Sequence, residues 1–165
     1  MADPRVGRPR VREGYGIPSE LPEVVAPWSE ITTKLVAARS YWISTTRTDG
    51  RPHSAPVWAI WRDDELWFST DSKSVKGSNL EANPATIVHL ESGDDVVIVE
   101  GVVRRIEPTI DGFDRFLDEY EAKYAHRIDA PDDPNFAFFV VRPTVVLSWL
   151  EESFVETALR WEFAR

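Results

Sequence analysis

Cysteine is absent from the sequence, which excludes disulfides, thiolate metal sites and thiol nucleophiles. Positive charge is scarce: 19 Lys and Arg face 28 Asp and Glu, a formal net charge of −9. That balance argues against general nucleic-acid binding, which needs a basic face. No apolar run approaches the length of a membrane span, and Met1-Ala2-Asp3-Pro4-Arg5 is a polar start without a signal peptide, so a cytoplasmic protein is expected. Walker loops, nucleophile elbows and dinucleotide glycine motifs are missing too. The histidines, His53, His89 and His126, offer no pair with metal-ligand spacing on one element, so no metal site is expected.

What is present suits one core. A chain of 165 residues with 42% hydrophobic content is most simply a single domain. Seven Trp and eight Phe are many for this length, and such aromatics fill cores, line planar-ligand pockets or cover dimer interfaces. Residues 1–27, rich in Pro, Gly and charge, with Arg5, Arg8, Arg10 and Arg12 clustered, are expected as a flexible arm draped over a partner subunit. Residues 28–165 then form the domain.

Within it, Ile31, Leu35 and Ala38 at helical spacing predict a short helix over 28–39. Strands are expected at 41–48 and 51–61 around the hairpin signal Asp49-Gly50, and at 65–70 after Arg62-Asp63-Asp64. A second hairpin, 86–91 and 95–106, turns at Ser92-Gly93-Asp94. Phe113, Phe116, Leu117 and Tyr120 share one face of a helix over 110–124. Strands 136–142 and 144–150 flank Pro143, and a last one covers 159–163. Six or seven short strands without a βαβ rhythm exclude a doubly wound sheet and favour a small antiparallel barrel with peripheral helices.

The segment Phe68–Leu80 carries the most chemistry. It runs from a strand end through small hydroxyl residues and two lysines into a helix that Asn83-Pro84 closes. Backbone N–H groups at a helix start, Ser and Thr hydroxyls and a lysine can converge on one phosphate. Ser69, Thr70, Lys73, Ser74, Lys76 and Asn79 are therefore candidate contacts, although a Ser-capped helix with solvated lysines would read similarly.

The ordered set Tyr41-Trp42-Ile43-Ser44-Thr45, Asp49-Gly50-Arg51-Pro52-His53, Pro56-Val57-Trp58, Leu66-Trp67-Phe68-Ser69-Thr70, Lys76-Gly77-Ser78-Asn79-Leu80, Asn83-Pro84 and Val99-Glu100-Gly101 resembles the pyridoxamine-5'-phosphate-oxidase-like split-barrel superfamily. The match spans roughly residues 30–150, and Arg160-Trp161-Glu162-Phe163 resembles the ending of its actinobacterial flavin- and deazaflavin-dependent reductases. The resemblance implies a mainly β (α+β), FMN-binding split-barrel fold and a homodimer with cofactor sites at the subunit interface. It also implies that Thr70, Ser74 and Lys76 sit near the cofactor phosphate, and that the strand holding His53, Ser54, Pro56, Val57 and Trp58 runs beside the tricyclic ring. Arg160 and Trp161 would close the pocket or pin the C-terminus.

Departures from the true oxidases matter equally. Val75 and Ser54 replace arginines, Val96 replaces a glutamine, and the Arg-Leu-x-Pro ending is missing. An apolar residue in place of a guanidinium removes a bidentate phosphate contact. Vitamin B6 oxidation is therefore not expected. No convincing acid, base or nucleophile emerges, so catalytic residues are unassigned, as in enzymes whose cofactor carries the chemistry. The expected cofactor is coenzyme F(420), with FMN the alternative. The expected function is hydride transfer from the reduced deazaflavin to a conjugated small molecule. An FMN-binding reductase or oxidase, or a flavin, deazaflavin or haem carrier, is the alternative.

Overall fold

The computed structural model describes residues 3–12, 14–129 and 131–164. Among these residues nine strands join in one antiparallel sheet. They are β1 (Arg5–Gly7), β2 (Tyr41–Thr46), β3 (Pro52–Val57), β4 (Ala59–Arg62), β5 (Glu65–Asp71), β6 (Ala85–His89), β7 (Asp95–Ile106), β8 (Phe136–Leu150) and β9 (Leu159–Glu162). The hydrogen-bonded order is β1-β9-β8-β7-β6-β2-β3, with β5 joining β4 to β8. Helices α1 (Trp28–Ala37), α2 (Val75–Ala82), α3 (Phe113–Tyr124) and α4 (Phe154–Thr157) lie outside. This is the expected split barrel with peripheral helices.

Three local expectations change. Within the segment read as an arm, Arg5–Gly7 pair with β9, and Arg5 is ion-paired to Glu162. Arg8 donates to the carbonyls of Val155 and Ala158, taking up carbonyls around α4 and its C-terminal end. The run 51–61 is two strands, because the chain leaves β2 after Val57 and re-enters the sheet beside β5 at Ala59. Conversely, Pro143 does not split β8. A register shift at Glu100/Gly101 absorbs it, with Pro143 opposite Gly101 and Val145 opposite Glu100. Gly101 is required there, since a Cβ would lie 2.6 Å from the Arg142 carbonyl oxygen.

The core has two parts. Ile43, Phe68, Val99, Phe139 and Trp161 fill the barrel, while Ile60, Trp67, Phe113, Phe116 and Phe138 pack between the sheet and α3. Strand β8 feeds both, Phe139 and Val141 to one and Phe138 and Val140 to the other. Burial on both faces explains the continuous apolar run Ala137–Val141, where one-sided burial would give alternation.

Candidate functional site

At the end of β5 the chain turns sharply into α2. The Asp71 carboxylate accepts the Lys73 N–H at 2.7 Å, and the Asp71 carbonyl accepts the Ser74 N–H at 3.0 Å. Ser74 is the N-cap of α2: its hydroxyl accepts the Gly77 N–H at 3.1 Å. Thr70 Oγ1 stands 3.2 Å from the same hydroxyl. The cap takes one of the free donors of the first turn, leaving the Val75 and Lys76 N–H groups without intrahelical acceptors. Lys73 is exposed, Lys76 is half-buried, and neither joins an ion pair among the described residues. The nearby Glu81 pairs with Arg105 instead. A capped first turn with open donors and an uncommitted ammonium is equipped to hold a phosphate.

Gly77 sets how tight that turn is. A Cβ on it would lie 2.9 Å from the Asp71 carbonyl oxygen, 3.1 Å from that of Ser72 and 3.2 Å from Ser74 Oγ. Only a glycine lets α2 settle this closely on the turn. Asn79, one turn further, donates to Thr45 Oγ1 at 2.9 Å with both side chains buried. It fastens α2 to β2 and is already satisfied.

The second component is β3, which among the described residues pairs only with β2 and ends the sheet path. Opposed pairs in an antiparallel ladder alternate between hydrogen-bonded and non-hydrogen-bonded classes. Pro56 opposes Trp42, Pro52 opposes Thr46, and Ser54 opposes Ser44 between them. Prolines have no N–H to exchange, so this class is the non-hydrogen-bonded one. The Ser54 N–H and C=O therefore point away from β2, toward the free edge. They are a main-chain donor and acceptor flanked by prolines that discourage pairing with another strand. Helix α2 packs on β2, β3 and β5. The anion-ready turn and the polar edge thus belong to one side of the barrel.

His53 lies on the inner face of β3, opposite Thr45 and half-buried. Its Nδ1 is buried without a hydrogen-bond partner. An orphaned imidazole nitrogen is costly, and a polar ligand atom would relieve it. Ser54 and Pro56 face outward, where Ser54 Oγ meets Ser44 Oγ at 3.2 Å, and Val57 is buried in the barrel core.

The other predicted residues lie elsewhere. Trp58 is 39% exposed and stacks on Tyr124 at 4.6 Å and 2°, with the Arg39 guanidinium 5.7 Å from its ring centre. It belongs to an α3 aromatic cluster with Tyr120 and His126. Ser69 points to the same side, beside the Tyr120 hydroxyl. Burial raises the Tyr120 phenol above its ordinary range, and the Ser69 contact opposes that rise. Trp161 is a core residue, 5.3 Å from Trp28 and donating to Ser148 Oγ at 3.2 Å. Arg160 is held by Glu162 on β9. Val75 is exposed at the first turn of α2, whereas Val96 is buried opposite Trp149. Sequence reasoning overlooked Gly77 and Asp71, although a glycine in the first turn of a helix was the available signal.

The family model described as pyridoxamine 5'-phosphate oxidase matches residues 28–150. No curated protein matches significantly. Among solved structures, General Stress Protein 26 from Bacillus anthracis str. Sterne is 29% identical, covering 73% of this chain and 91% of its own, with a TM-score of 0.57. An F420 reductase is 28% identical, covering 68% and 93%, with a TM-score of 0.55. HutZ, the haem storage protein of Vibrio cholerae, shares the fold at 15% identity and a TM-score of 0.60, covering 70% and 88%.

Proposed function

The chain belongs to the pyridoxamine 5'-phosphate oxidase family, and from that premise we propose that it binds a flavin-type cofactor across the α2 turn and the β3 edge. The observation that carries this reading is the union of the two: a capped turn open to a phosphate, and a strand edge whose only outward main-chain N–H in the Pro52–Pro56 stretch is that of Ser54. Thr70, Ser74 and Lys76 would hold the phosphate. The Ser54 N–H and C=O would meet the polar edge of a tricyclic ring, and the His53 orphan nitrogen would gain a partner. Such a ring, when bound, supplies hydride transfer. The protein's share is to orient the ring and shield one of its faces.

For the finer choice we propose reduced coenzyme F(420), acting on a conjugated small molecule. Similarity to an F420 reductase supports it, as does the exposed Val75 where the oxidases carry a guanidinium. FMN is the second reading, favoured by the matching family model. Carriage without catalysis is the third, since haem storage occurs on this fold. A fluorescence and thermal-shift titration with F(420), FMN, FAD and haem side by side separates them. F(420) should bind more tightly than FMN, and the gap should narrow as salt screens its longer anionic tail. A protein that purifies yellow with stoichiometric FMN and ignores F(420) sinks the deazaflavin choice. Indifference to all four sinks the cofactor site.

We also propose a homodimer. The outer face of β2, β6 and β7 exposes Trp42, Ile87 and Val102 around a polar groove at Ser44 and Glu100. A second copy would cover it symmetrically. Light scattering that shows a monomer at micromolar concentration with full cofactor affinity would remove this part.

A further inference from the structure

Between α1 and α3 lies a cavity of about 520 Å3 that none of the residues discussed for the cofactor lines. Val36, Ile60 and Ala122 make its apolar wall, and Arg115, Glu119 and Lys123 line it from α3. These three charged residues are one helical turn apart, so guanidinium, carboxylate and amine follow one another along one face.

Lys123 has an unusual setting. Its Nζ donates to Tyr41 Oη at 3.0 Å and to the Ala59 carbonyl at 3.1 Å. It sits 5.0 Å from the Tyr41 ring centre and 5.4 Å from that of Tyr124. No carboxylate pairs with it among the described residues. Glu119 is engaged by Arg115 at 2.7 Å and faces Arg62 at 3.8 Å. The amine therefore meets aromatic rings, one carbonyl and a cavity whose wall also carries Arg62 and Arg115 beside two carboxylates, Glu119 and Asp63, the latter 3.3 Å from Arg62 and 3.9 Å from Arg115. Burial pulls the ammonium down to about 8. An ordinary lysine is almost wholly protonated at neutral pH and is a poor nucleophile, and desolvation is one route by which proteins activate the amine.

We propose that this cleft is a second small-molecule site, where the Lys123 amine forms a reversible imine with an aldehyde that bears a carboxylate, the anion resting on Arg115. The free amine's lone pair attacks the carbonyl carbon, and the C–N bond forms as the C=O pair takes a proton to become a hydroxyl. That hydroxyl leaves as water with the second amine proton, giving C=N. The step is redox-neutral and needs no co-reactant. The apolar wall suits a flat body.

The test uses the whole protein, 4-carboxybenzaldehyde and sodium cyanoborohydride at neutral pH, followed by peptide mapping. The sequence has only four lysines, Lys34, Lys73, Lys76 and Lys123, so each site is resolved. Lys123 should take up on the order of tenfold more label than any other lysine, given its larger free-amine fraction. Unsubstituted benzaldehyde should lose part of that preference. Arg115→Ala, at an exposed position, should cut Lys123 labelling several-fold without moving the unfolding midpoint. Lys123 labelling at or below that of Lys73 overturns the site. Selective labelling that ignores both the carboxylate and Arg115→Ala overturns the anion assignment.

Discussion

Replacing Gly77 by alanine sets two opposing effects against each other. A Gly→Ala change within a helix ordinarily stabilises by about 0.8–1 kcal/mol through backbone entropy. Here the added methyl would sit 2.9 Å and 3.1 Å from two backbone carbonyl oxygens, of Asp71 and Ser72, and 3.2 Å from Ser74 Oγ. Backbone oxygens cannot rotate aside, so α2 must lift by a few tenths of an ångström. Overpacking of this kind costs about 1–3 kcal/mol. The lift also stretches the Gly77–Ser74 cap bond, now 3.1 Å, and a lost cap costs about 1 kcal/mol. The net expectation is destabilisation by about 1–3 kcal/mol. Urea unfolding measures it directly, and Ser74→Ala gives the cap contribution alone. If the turn holds a phosphate, the same lift should weaken cofactor binding by about tenfold, from loss of roughly one charge-assisted contact. A Gly77→Ala protein as stable as the wild type would show that the close approach imposes no constraint. Unchanged affinity alongside the predicted loss of stability would detach the phosphate from this turn.

Lys76→Ala should weaken cofactor binding by about 1.5–3 kcal/mol while leaving apo-protein melting nearly unchanged, as calorimetric titration and thermal unfolding would show. Ser54→Pro is a selective probe, because that N–H points off the sheet; the barrel should fold, and ring binding should fall by about 1 kcal/mol or more. Collapse of the fold would mean that Ser54 bonds to β2 after all. For Lys123 the folded-state value of about 8 lies below the ordinary 10.5, so between those limits the unfolded chain binds more protons. Wild-type stability should therefore rise with pH relative to Lys123→Met from about pH 8 to 10.5, by about 1 kcal/mol once partial exposure is allowed for. Burial raises Tyr41 and lifts Tyr124 to about 12; both oppose the trend only above about pH 10 and largely cancel in the comparison. A flat difference across that window would place the amine in free solvent.

Much of this was legible in the residues. Asp49-Gly50 announces the β2–β3 turn, and Phe113, Phe116 and Tyr120 the buried face of α3. The hydroxyls and lysines of 68–80 announce a capped strand-to-helix turn, as Ser74 proves to be. These signals are local: turn dihedrals, helical period and capping depend on residues a few positions apart. What involves distant partners was not legible. Alternation along β5 separates Ser69 from Thr70, but only the sheet and α3 decide that Ser69 meets Tyr120. Trp161 could have closed a pocket until Trp28, 133 positions away by sequence number, took it into the core. The arginines of the first ten residues could have been free until β9 offered an edge and Glu162 a counter-charge. Pro52 and Pro56 were visible from the start. That they leave Ser54 as the open donor of β3 follows only once β2 is known to pair on one side, with no strand on the other among the described residues. Composition and short-range spacing determined most of the elements and the capped turn at Ser74. Tertiary pairing decided which of the remaining polar groups are spent and which are free, because a hydrogen bond or a burial is settled by whatever arrives across space.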